Sequence, residues 1–239
     1  LAPMDILEHM RAISNNLDSP QTYVFTSTDY VTCYNETNKK NPCNEESFRL
    51  SSVSYGVQKA CVELLVSDYS RKGFIDGRVL RLCCVVVKPG VFDVLSYPFH
   101  GVISQTLGDS KNVYKCPLPP SQSFPCSFIA NSVQCLEKLG ESIEGVKIGH
   151  NRVIQAPSYS FSLQSLWEGL QQVSSEMKIP VGTIEWVSAA ESGSTVKTVN
   201  SCPNVSIDKA RSLGLTTDFT IEDVIKDYIK SPAFPTRFV

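Results

Sequence analysis

Tyr55 and Lys59 lie four residues apart in the stretch SYGVQKACVELLVSDYSRKGF, which runs from Ser54 to Phe74. On a helix that spacing puts a phenol and an ammonium on one face. A phenol has a pKa of about 10 in water, and a neighbouring cation favours its ionised form. A tyrosinate held beside a lysine can take the proton of an alcohol, so the pair could serve as a general base. The upstream segment TYVFTST, Thr22 to Thr28, ends in hydroxyl side chains that could hydrogen-bond the same alcohol oxygen. Spacing alone favours a blander reading. In it Tyr55 is an interfacial aromatic and Lys59 a solvated charge, paired across the helix surface with Glu63.

The elements around these residues bear on the choice. Met4 to Ile13 has apolar residues at helical spacing. Thr22 to Thr28 is β-branched and aromatic, as in a buried strand. Residues 34–50 are polar and read as a surface loop. Ser51 to Lys72 reads as a helix with an apolar face of Val57, Cys61, Leu64, Leu65 and Tyr69, closed by Gly73. Arg78 to Gly90 reads as the next strand, stopped by Pro89-Gly90. Strand, loop, helix and strand in that order predict a parallel crossover, and hence an α/β sheet covered on both faces. In such sheets ligands bind beyond the carboxyl ends of the strands, which is where Thr28 and Tyr55 would meet. Downstream, residues 108–127 are rich in Pro and Ser, and Ser127 to Leu139 reads as a helix. A short strand near Val153, a helix capped near Ser160 or Ser162, a strand at GTIEWV and two short helices complete the chain. The expected division is a Rossmann-like part over 1–107 and a mostly substrate-binding lobe over 108–239, with segments returning to the core.

Composition narrows the function classes. The chain has 239 residues, 42% hydrophobic and 19% charged, with a formal net charge of −2. That suits a globular protein with no basic excess for nucleic acid or an anionic membrane. Its apolar runs are too short to cross a membrane as a helix. The nine cysteines are scattered without a CxxC and there are only three histidines, so neither a disulfide framework nor a metal site is expected. Reduced thiols suit a cytoplasmic protein.

The block SSVSYGVQKACVELLVSDYSRKGFIDGRVLRLCCVVVKPG, together with YVFTST and the later DKARSLGL and FTIEDVIKDYI, resembles the extended short-chain dehydrogenase/reductase family, also called the NAD-dependent epimerase/dehydratase family. The likeness sharpens to its D-erythronate dehydrogenase branch and runs from about Met4 to the C terminus. It implies a partial Rossmann-type parallel sheet with flanking helices and a small C-terminal α+β substrate lobe. It also implies that Tyr55 is the acid/base, that Thr28 holds the substrate oxygen, and that Lys59 lowers the tyrosine pKa and holds the nicotinamide ribose. Ser27, Leu82, Cys83 and Val85 would line NAD or NADP, and Lys88 would face a substrate carboxylate. Homodimers are common in the family, and the stripe through Cys61, Leu64, Leu65 and Tyr69 could serve that or the core.

The chain also departs from the family pattern. Cys83 stands where relatives have Pro, Lys88 where they have Arg, and PPSQSFPC at 119–126 where they have an acidic, Arg and Trp segment. No G-x-x-G-x-x-G turn for the cofactor pyrophosphate occurs in the 239 residues. The chain is therefore expected to be a fragment lacking the first βα units. Three functions follow: oxidation of a hydroxyl on a small sugar acid, epimerase or dehydratase chemistry on a sugar nucleotide, or a truncated homologue without catalysis.

Overall fold

The computed structural model describes residues 2–32, 42–86, 97–188, 191, 204–216 and 219–231. In chain order the elements are α1 (Ala2–Ser14), β1 (Gln21–Thr28), a 3-10 turn (Asp29–Val31), α2 (Ser54–Arg71), β2 (Ile75–Leu82), β3 (Cys84–Val86) and α3 (Tyr97–Ser104). Then follow β4 (Val113–Cys116), β5 (Ser123–Phe128), α4 (Ile129–Glu141), α5 (Gly145–Ile148), β6 (Val153–Gln155) and β7 (Tyr159–Ser162). The last elements are α6 (Leu163–Met177), β8 (Thr183–Trp186), α7 (Asp208–Ser212) and α8 (Ile221–Lys230). The fold is mixed α/β, as expected.

The chain divides into two compact units. The first gathers residues 1–83, 130–158 and 200–217, and the second gathers 84–129, 159–199 and 218–239. The first boundary thus falls at Cys83–Cys84 rather than at 107/108. Residues 84–107 belong with the second unit because β3 pairs with β5, and Phe99, Val102 and Ile103 enter that unit's core.

The first unit holds a three-stranded parallel sheet in the order β1-β2-β6. Side chains alternate between its faces. Odd positions such as Phe25, Ile75, Val79 and Val153 pack with Leu7 of α1 and with Val66 and Tyr69 of α2. Even positions such as Val24, Leu80 and Ile154 pack with Leu139 of α4, Ile148 of α5 and Ala210 of α7. Helix α2 supplies the crossover between β1 and β2. It ends in a Schellman motif, in which Phe74 N–H reaches Tyr69 C=O at 3.0 Å and Gly73 N–H reaches Ser70 C=O at 3.0 Å. Gly73 takes the required positive φ of 76°, and the Tyr69 and Phe74 rings meet edge-on with centroids 5.8 Å apart.

The buried face of α2 keeps only part of the apolar stripe expected from the sequence, with Tyr69 buried and Leu65 packed against the core. The helix buries Gly56, Ala60, Glu63, Val66, Tyr69 and Ser70, while Val57 (47%), Cys61 and Leu64 (55%) are exposed. Small residues on the sheet side let helix and strand approach closely. A Cβ on Gly77 of β2, for example, would lie 2.4 Å from Ser70 Oγ and 2.6 Å from Val66 Cγ1.

The second unit carries the sheet β3-β5-β7 and the parallel pair β4-β8, with helices α3, α6 and α8. Its core is aromatic and aliphatic, built on Phe99, Phe124, Phe161, Leu166, Leu170 and Ile225. Ser162 caps α6, and Thr220 with Asp223 forms a capping box on α8. The stretch 108–127, read as irregular from its Pro and Ser content, carries β4 and β5. Ser127, expected to open a helix, is instead paired with Val85 in the sheet, and α4 begins at Ile129. His100 is buried on α3 with its ring edge-on to Tyr228, centroids 5.9 Å apart. No described helix is long and apolar enough to cross a membrane.

Candidate active site

The carboxyl end of β1 and the amino end of α2 meet in the first unit. Thr28 is the last residue of β1 and is buried. Its hydroxyl accepts from Tyr30 N–H at 3.3 Å, capping the 3-10 turn, and donates to Asp29 Oδ1 at 3.2 Å. The Tyr30 ring stands edge-on to Tyr55, with centroids 6.1 Å apart and an interplanar angle of 74°. Tyr55 itself is 50% exposed.

Gly56 lets this end of α2 sit where it does. A Cβ there would come within 2.2 Å of Ser51 Oγ and 2.4 Å of the Tyr30 carbonyl oxygen. Both distances are below any real Cβ contact, and one obstacle is backbone.

Lys59 does not pair with Glu63 on the surface. Its Nζ donates to the Thr26 carbonyl at 2.7 Å, and lies 4.7 Å from the Phe25 ring centroid and 5.7 Å from that of Tyr55. Burial pushes the Lys59 pKa down from its ordinary value. The ammonium is thus half-buried beside the Tyr55 ring, where a cation acts on a neighbouring ionisation more strongly than in bulk water.

Glu63, one helical turn further, is fully buried. Its Oε1 accepts from Ser27 Oγ at 2.6 Å and Arg81 Nε at 2.8 Å, and its Oε2 from Arg81 Nη2 at 2.7 Å and Arg49 Nε at 3.0 Å. Burial alone would raise the carboxyl pKa. The bidentate Arg81 guanidinium, with help from Ser27 and Arg49, outweighs burial and holds it below the usual range. Arg81 is also fully buried and reaches the Asn44 carbonyl at 3.3 Å. The loop before α2 is tied to the same strands: Glu45 accepts from Gln155 N–H at 2.7 Å, and Asn151 donates to the Glu45 carbonyl at 3.0 Å. Sequence reasoning missed this buried ionic cluster. The signal available was Glu63 eight residues after Tyr55, on the same helix, with Arg81 inside the strand that follows.

The remaining candidate residues are less concentrated. Leu82 pairs with Thr28 in the parallel ladder. Cys83 is buried, and its sulfur accepts from Gln155 Nε2 at 3.1 Å. Val85 lies in β3 of the other unit, where it pairs with Ser127. Lys88 lies outside the described residues. The structure therefore brings Thr28, Tyr55, Lys59, Ser27, Leu82 and Cys83 into one unit, with Ser27 turned toward the interior onto Glu63. No cluster of His, Cys, Asp or Glu that could hold a metal ion occurs among the described residues.

The donor set here is a lysine ammonium beside a phenol. One Lys59 N–H is used on Thr26, and the other two have no partner among the described residues. The Tyr55 hydroxyl stands on the same helix face. These groups can bind sugar hydroxyls and move one proton at the Tyr55 oxygen.

No protein-family model matches the chain. Among curated proteins, the D-erythronate dehydrogenase of Cupriavidus necator is 34% identical over 182 residues, spanning 74% of this chain and 53% of that protein. The D-erythronate dehydrogenase of Haemophilus influenzae is 27% identical over 191 residues, spanning 74% and 54%. The chain thus spans about half the length of the curated relatives it matches. Among solved structures, a nucleoside-diphosphate-sugar epimerase from Agrobacterium tumefaciens superposes with a TM-score of 0.80 at 24% identity, over 96% of this chain and 65% of that one. The holo form of a GalE-like L-threonine dehydrogenase from Cupriavidus necator gives 0.73 at 14% identity, over 96% and 69%. These structural likenesses speak to the fold, and the sequence likeness speaks to descent. The sequence likeness to D-erythronate dehydrogenases supports the resemblance to the extended short-chain dehydrogenase/reductase family, and the solved structures share the fold.

Proposed function

We propose that the chain carries the proton-transfer groups of an NAD(P)-dependent oxidoreductase that oxidises a hydroxyl of a small sugar acid, in the manner of a D-erythronate dehydrogenase. The observation that carries the reading is Lys59. Its desolvated ammonium is anchored on the strand that ends in Thr28 and stands 5.7 Å from the Tyr55 ring centroid.

In this reading Tyr55, as phenolate, takes the proton of the substrate hydroxyl. Lys59 stabilises the phenolate and holds the ribose of the cofactor. The Thr28 hydroxyl meets the substrate oxygen. The oxidised nicotinamide, when bound, supplies the acceptor for the hydride that leaves the same substrate carbon. Leu82 and Cys83 line the cofactor side from the end of β2 and the residue after it. Lys88 meets the substrate carboxylate. The exposed Val57, Cys61 and Leu64 face of α2 fits a second copy of the chain, which makes a homodimer part of the proposal.

The test is Tyr55→Phe in the full-length protein containing this chain, assayed with sugar acids and NAD or NADP. Loss of the general base is expected to lower turnover by about 100-fold or more. Unchanged turnover sinks the assignment of Tyr55. Turnover of a nucleotide sugar with none of any sugar acid moves the reading to an epimerase or dehydratase.

A further inference from the structure

We infer that Glu63 is a positioning residue for the Thr28 hydroxyl and acts through Ser27. This rests on the reading of Thr28 as the hydroxyl that faces substrate. Tyr55, Lys59 and Glu63 recur every four residues and share one face of α2. Lys59 takes the Thr26 carbonyl at 2.7 Å, and Glu63 takes the Ser27 hydroxyl at 2.6 Å. Successive turns of the helix that carries the phenol therefore grip successive residues of the strand that carries Thr28.

The grip through Glu63 is rigid for two reasons. Both carboxylate oxygens are engaged, and Arg81 holds them in a bidentate fork from the central strand. Ser27 and Arg81 are direct partners in the parallel register, so one carboxylate spans β1 and β2 at the same level of the sheet. Ser27 points to the α2 face and Thr28 to the other, because side chains alternate along a strand. Fixing Ser27 thus fixes the backbone from which Thr28 projects and the turn that its hydroxyl caps. A displacement of about 1 Å at a reacting group costs on the order of 100-fold in rate. Holding the strand end in register with α2 therefore matters to turnover as well as to folding.

The experiment uses the full chain and three variants, Ser27→Ala, Glu63→Gln and Ser27→Thr. Ser27→Ala removes the tether and leaves the Glu63 ion pairs in place. Glu63→Gln alters the cluster itself. The first readout is amide hydrogen exchange at Tyr30, whose N–H donates to Thr28 Oγ1. In Ser27→Ala this amide is expected to exchange about tenfold faster, the scale for losing a hydrogen bond to a charged acceptor. The slow amides of β2 should change by less than about twofold. Glu63→Gln should show the same selective change if it folds, and Ser27→Thr should restore protection. The second readout is turnover in the full-length protein. There Ser27→Ala should lower kcat about tenfold with KM changed less than about threefold, because the positioned hydroxyl acts in the transition state.

Wild-type exchange at Tyr30 in the Ser27→Ala variant overturns the inference. Acceleration spread evenly over the whole unit also overturns it, since that is the mark of stabilisation alone. A wild-type protein without turnover on any sugar acid removes the proposed function, and the exchange readout still decides whether Glu63 positions the Thr28 turn.

Discussion

At the scale of single residues, the site depends on close approaches that leave little freedom. Gly56 is the sharpest case. Any side chain there meets the Tyr30 carbonyl, and the helix start must shift. Gly56→Ala is expected to destabilise the chain by about 1–3 kcal/mol through overpacking. Thermal unfolding measures the loss, and a change in the fluorescence of a probe ligand competing at Tyr55 measures the displacement. A near-neutral Gly56→Ala would mean that α2 does not start against Tyr30. The pair Tyr55 and Lys59 is legible in the sequence because their spacing matches the helical period. Gly56 gives only the weaker hint of a glycine beside a candidate catalytic residue.

At the scale of elements, α2 and the sheet are joined by a buried charge cluster rather than by apolar contacts alone. Arg81→Met leaves Glu63 with Arg49 as its only remaining cationic partner among those described. Breaking a buried pair from one side costs about 3–5 kcal/mol, so this variant should lose most of that in denaturant unfolding despite its added apolar surface. The same cluster sets an acid limit. The folded-state pKa of Glu63 lies below its ordinary value of 4.5. Its contribution to stability is therefore complete above about pH 4.5 and is lost as pH falls through the lower folded-state value. Melting temperature should fall over that window in the wild type. The fall should be shallower in Glu63→Gln, which has no carboxyl to protonate there.

At the scale of the molecule, the exposed stripe on α2 is the feature that a lone chain does not explain. Val57 and Leu64 are 47% and 55% exposed, and Ile6 on α1 is 47% exposed. Scattered apolar residues are ordinary on a surface, whereas a helix stripe of them suits a partner. Leu64→Arg should leave melting temperature nearly unchanged, since the side chain lies outside the core, and should convert a dimer to a monomer in sedimentation equilibrium. A wild-type chain that sediments as a monomer at all concentrations removes the homodimer proposal.

Much of this protein was legible from local pattern. β-Branched and aromatic content marked β1, helical spacing marked α1 and α2, Gly73 marked the end of α2, and a cap near Ser160 or Ser162 marked the start of α6. These signals are local, so the sequence carries them directly. Thr28, Tyr55 and Lys59 followed from the same local evidence and from family resemblance. What the sequence misassigned depends on partners distant along the chain. Glu63 looked like a surface partner of Lys59, and of the expected apolar face Val57, Cys61, Leu64, Leu65 and Tyr69 only Tyr69 is buried and Leu65 partly so. A carboxylate enters a core only where matching donors await it, and Arg81 and Arg49 lie 18 and 14 residues away in sequence. Residues 84–107 were assigned by their position along the chain, while the pairing of β3 with β5 placed them in the second unit. The sequence by itself determined which residues could do the chemistry. Tertiary packing decided which charges are buried, and so which side chains hold those residues in place.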